Sequence, residues 1–62
     1  MSARMAVRVK AIRRQMGWTR KELAHLLGVS AAFVGRVERG EADMEKDTVQ
    51  LLEAATGAKL GR

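Results

Sequence analysis

Residues 19–40, TRKELAHLLGVSAAFVGRVERG, carry two helix-start signals and a helix-stop signal within one short span. Thr19 is suited to cap a first helix, and Glu22, three residues later, can return a bond to the cap's own amide, the reciprocal arrangement of a capping box. Ser30 is suited to cap a second. Between them Gly28 stands where the first helix has to end in a left-handed residue, the conformation that costs glycine least. The stretch reads as two short amphipathic helices, 20–27 and 30–39, with the chain turning at Gly28-Val29-Ser30. Leu23, Ala24 and Leu27 face inward from the first, Val34 and Val37 from the second, and Gly40 stops the pair.

Upstream, Met5, Val9, Ile12 and Met16 recur at spacings of four, three and four, which predicts a helix over 4–16 ended by Gly17. Trp18 precedes the Thr19 cap, where an apolar side chain can pack on Leu23 as a hydrophobic staple; surface stacking on a ligand is the alternative use. Downstream, Asp43 is the best candidate to cap a fourth helix reaching Thr56, with Val49, Leu52 and Ala55 as its stripe and Leu51 and Met44 alongside. Gly57 is its terminator. Residues 58–62 fit a frayed end, an extra turn or a short strand equally well.

Sixty-two residues are expected to form one domain, 1–62, burying only about 60% of the unfolded surface, too little for a large catalytic cavity. With no cysteine, neither disulfides nor thiolate zinc can staple the fold, so packing must hold it. His25 has no second ligand at metal spacing and reads as a solvated side chain. No metal, cofactor or catalytic constellation is expected, and the chain reads as a non-enzyme. The apolar runs are too short to cross a bilayer and MSARMAVRVK lacks the apolar core of a secretory signal, so a cytoplasmic protein without membrane contact is expected.

The charge distribution says more than its total of +5. Residues 1–21 hold seven basic residues and no acid, whereas 22–62 hold five basic and seven acidic ones. A polyanion would meet the N-terminal third.

A helix reads DNA when a second helix holds it at a fixed tilt in a major groove about 12 Å wide, which demands small or apolar residues at the points named above. In VKAIRRQMGWTRKELAHLLGVSAAFVGRVERG, and more weakly in TVQLLEAATG, the chain resembles the Cro/CI-type (lambda-repressor-like, XRE-type) helix-turn-helix family. The resemblance implies an all-α fold, a compact bundle of four to five short helices. It implies base readout by Ala31, Ala32, Gly35 and Arg36, with Phe33 beside them. Phosphate contacts are implied at Thr19, Arg20 and Lys21 and at Arg39 and Gly40, and a cytoplasmic protein of this kind is nucleoid-associated when bound to DNA. Arg20 stands where the family usually has Gln, which keeps a donor and adds a charge. Arg13 and Glu38 match a structural salt bridge of the family, two solvated charges being the alternative.

Two departures qualify the implication. Ala31, Ala32 and Gly35 lack polar side chains, leaving Arg36 as the residue suited to guanine O6 and N7. The loop 41–47 carries Glu41, Asp43, Glu45 and Asp47, which would repel a nearby phosphate backbone or face a protein partner. The leading expectation is a sequence-selective, repressor-like transcriptional regulator of prokaryotic or phage type, binding double-stranded DNA as a homodimer with helix 30–39 in the groove. A protein-interaction module on the same fold, such as an antitoxin or adaptor engaging a partner through the acidic loop, is the alternative. Helix four and the Leu60 tail offer a route to dimerisation.

Overall fold

The computed structural model describes residues 3–60. In chain order the helices are α1 (Ala3–Gln15), α2 (Arg20–Leu27), α3 (Ala31–Glu38) and α4 (Lys46–Thr56), and no strand occurs among the described residues. α2 and α3 pack most extensively on each other, α1 lies against α3, and α4 closes the bundle against α2.

Local chemistry sets the boundaries of α2 and α3. Thr19 is extended (φ −77°, ψ 165°), its hydroxyl accepts from the Glu22 amide at 3.0 Å, and the Glu22 carboxylate accepts from the Thr19 amide at 2.8 Å. Gly28, at φ 71°, ends α2 in the left-handed region. Its N–H donates to the His25 carbonyl and that of Val29 to the Ala24 carbonyl, satisfying two carbonyls that the helix leaves open. Ser30 then starts α3, its hydroxyl accepting from the Phe33 amide at 3.0 Å.

The core is built from Val9 and Ile12 of α1, Leu23, Ala24 and Leu27 of α2, Val34 and Val37 of α3, Leu52 of α4, and Leu60. Leu23 and Leu52 have no exposed surface, and burying a leucine fully contributes about 1.5–3 kcal/mol. Trp18 is half-buried and packs on this cluster.

Four expectations change. Met16 falls outside α1 and is 43% exposed, while Ala6, uncounted in the stripe, is buried. The cap of α4 is Glu45 rather than Asp43, and it makes no side-chain capping bond, because bends over 41–42 and three more non-helical residues delay the helix to Lys46. Ala55 and Leu51 of α4 face solvent, and Leu52 is the residue of that helix that is buried. The inner flank of α4 goes instead to polar side chains that serve the tail. Glu53 accepts from the Leu60 amide at 2.7 Å, and the Thr56 hydroxyl donates to the Leu52 carbonyl and accepts from the Ala58 amide.

The tail through Leu60 is therefore neither frayed, nor an extra turn, nor a strand. Arg8 donates to the Lys59 carbonyl, and Leu60 is buried in the core, so its side chain is used within the chain rather than offered to a second copy. Residues 61–62 lie outside the described residues.

Candidate nucleic-acid interface

Glu38, in the last turn of α3, has a side chain with 1% exposure, which would be costly for an unpaired carboxylate. Two arginines from different elements reach it. Arg13, from the last turn of α1, donates through Nε to Oε2 at 2.6 Å and through Nη2 to Oε1 at 3.3 Å. Its Nη1 donates to the Trp18 carbonyl at 2.8 Å, tying the α1–α2 connection into the same cluster. Arg20, the first residue of α2, donates through Nε to Oε1 at 3.1 Å. Burial by itself pushes the Glu38 carboxyl up, but the hydrogen bonds and charges of Arg13 and Arg20 outweigh it and hold it below its ordinary value. Three elements thus meet at one ionised carboxylate, which fixes α3 relative to the start of α2.

The sharing of Glu38 by Arg20 is not visible in the sequence, where Arg13–Glu38 is a pair and Arg20 a free cation. Arg20 remains half-exposed, with Nε engaged by Glu38. It stands in the first turn of α2, where backbone N–H groups lack helical partners and the helix dipole favours an anion. Thr19, Lys21 and Gly40 are exposed as well. Arg39 is half-exposed beside them and pairs with Glu41 at 3.3 Å, an exposed contact of the kind that contributes little.

The residues named for base readout divide into two groups. Ala31, Ala32 and Arg36 are exposed on one side of α3. Phe33 is half-buried and packs against the core, and Gly35 is buried. A Cβ built on Gly35 would lie 3.2 Å from Arg39 Nη1 and 4.0 Å from Arg20 Cδ, so the glycine lies beneath two of the arginines named for phosphate contact. Burial of a glycine at a helix position otherwise read as outward has no signal in the sequence.

Elsewhere, His25 is exposed, and among the described residues no group of three or more His, Cys, Asp or Glu is placed to hold a metal ion. No helix among them is long and apolar enough to cross a membrane. Glu41, Asp43, Glu45 and Asp47 are all exposed, on the connection that follows α3 and the first turn of α4.

Neither the curated proteins nor the solved structures gave a match to this chain. A family model described as Helix-turn-helix matches residues 9–61, which spans all of α2, the turn and α3, most of α1, α4 and the tail. With both motif helices capped, closed on each other and covered by that match, the chain belongs to the Cro/CI-type, XRE-like helix-turn-helix family and is a DNA-binding domain of that kind.

Proposed function

We propose that this chain is a sequence-selective, repressor-like transcriptional regulator of prokaryotic or phage type, acting in the cytoplasm as a single domain that occupies operator DNA. The observation that carries the reading is the exposed side of α3, with Ala31, Ala32 and Arg36, flanked by Arg20 and Arg39 and held rigidly by the Glu38 cluster. Arg20, Lys21 and Arg39 capture the phosphate backbone, and α3 then enters the major groove. Arg36 reads guanine, the two alanines meet thymine methyls, and sequence-dependent DNA shape supplies further selectivity. A domain of this size covers little DNA, so two copies on half-sites about one helical turn apart give useful affinity.

The exposed acids of the 41–47 segment favour one second reading, a protein partner with a basic surface engaged through that segment. One experiment separates the two: selection of bound duplexes from a random pool, followed by titration of the enriched duplex at several salt concentrations. The regulator reading expects a two-fold symmetric site and a logarithmic affinity falling linearly with the logarithm of salt. Failure to retain any duplex at low salt leaves the protein-partner reading in front.

A further inference from the structure

We propose that Gly35 is a positioning residue for phosphate binding, a role that rests on the DNA-binding reading above. Its missing side chain leaves the space over α3 that the end of the Arg39 side chain occupies, with Arg20 Cδ at its edge.

A glycine inside an eight-residue helix is unfavourable, since it loses more backbone freedom on folding than alanine would. Gly35 is not in a left-handed conformation that would require it. What occupies the place of its side chain is Arg39 Nη1, 3.2 Å from the ideal Cβ position, with Arg20 Cδ at 4.0 Å. The first distance is tighter than an ordinary carbon contact and the second is an ordinary one, so a methyl group pushes the end of Arg39 back by a few tenths of an ångström and merely touches Arg20.

The end of the Arg39 side chain thereby lies over α3 beside the Arg20 side chain, and the three arginines gathered here, Arg13, Arg20 and Arg39, meet two carboxylates, Glu38 and Glu41. Glu38 is already bound by Arg13 through two bonds as well as by Arg20. Arg39 has Glu41, an exposed partner at 3.3 Å. An oxyanion presented to this side of α3 meets the Arg39 guanidinium near an Arg20 whose Nε is already held by Glu38, and donors placed before binding lose less freedom when they engage. Gly35 contributes no donor of its own to this. It acts through where Arg39 can lie.

The test is a cycle of four proteins, the unsubstituted chain, Gly35→Ala, Arg39→Ala and the double variant, measured for binding to the enriched duplex and for thermal melting. The atom that has to give is the far end of the Arg39 side chain, so Gly35→Ala is expected to melt at the same or a higher temperature. It is expected to bind several-fold more weakly, with Arg39→Ala weaker by about tenfold and the double variant no weaker than Arg39→Ala alone. A loss that multiplies with that of Arg39→Ala overturns the proposal, because Gly35 then acts by its own approach to DNA. Unchanged affinity of Gly35→Ala also overturns it. Failure of the unsubstituted chain to bind any duplex overturns it together with the DNA-binding reading, whereas the first two outcomes leave that reading standing.

Discussion

The two halves of the molecule are held by different means. In the α2–turn–α3 half each helix begins with a hydroxyl bonded to a first-turn amide, α2 closes through Gly28, and Glu38 joins both helices to α1. In the α4 half the helix begins at Lys46, its cap Glu45 makes no side-chain bond, and one residue of the helix, Leu52, is buried. That half is fastened by its tail: Leu60 in the core, Glu53 on the Leu60 amide seven residues away, and Arg8 on the Lys59 carbonyl across 51 positions. The difference teaches that the face proposed to meet DNA is fixed locally and by charge, while the supporting helix depends on a few apolar anchors.

The largest effect expected from breaking that contrast is at Leu52. Leu52→Ala should cost ~3–5 kcal/mol in urea unfolding followed by Trp18 fluorescence, a large share of the stability of so small a domain. A loss below about 1 kcal/mol would show that α4 is anchored elsewhere. Next comes the charged cluster. Glu38→Gln should cost ~3 kcal/mol, while replacing Arg13 and Glu38 together with Met and Leu should recover most of that, as a double-mutant cycle would reveal. The same carboxylate gives a pH dependence. Since folding lowers its affinity for protons, its contribution is complete above the ordinary carboxyl value of 4.5 and is lost as pH falls through the lower folded value. The Glu38→Gln variant should lack that part of the acid limb.

Smaller effects test the caps. Thr19→Ala and Ser30→Ala should each cost ~1 kcal/mol, whereas Glu45→Ala should change the melting free energy by no more than a few tenths. Equal losses at all three positions would erase the distinction between the halves. Smallest of all, Glu45→Ser should add ~0.5 kcal/mol by giving α4 the cap it lacks, read as a modest rise in melting temperature.

The sequence was most legible where structure is decided by neighbours along the chain. Thr19, Glu22, Gly28 and Ser30 act on amides and carbonyls within a few residues, and the span of α2 follows from them. It was least legible where the path of the chain in three dimensions decides. Ala55 has the spacing of a core residue, yet the tail's amides needed acceptors, and Glu53 and Thr56 took that flank of α4. Asp43 has the chemistry of a cap, but the chain stays non-helical through Glu45 and the helix starts at Lys46. Within the candidate interface, Thr19, Lys21, Ala31, Ala32, Arg36 and Gly40 are exposed. The burial of Gly35 and the second use of Arg20 depend on how α3 crosses the start of α2, and no local pattern encodes a crossing.

The Glu38 cluster also has a temporal side. It joins residues 25 and 18 positions apart, whereas the caps of α2 and α3 close over three. Contacts that close long loops tend to form after local ones, so the carboxylate is expected to lock after the folding barrier has been crossed. Its removal would then accelerate unfolding and leave the folding rate nearly untouched, visible as a shift confined to the unfolding limb of a stopped-flow chevron. The cluster would act as a latch on the lifetime of the folded domain.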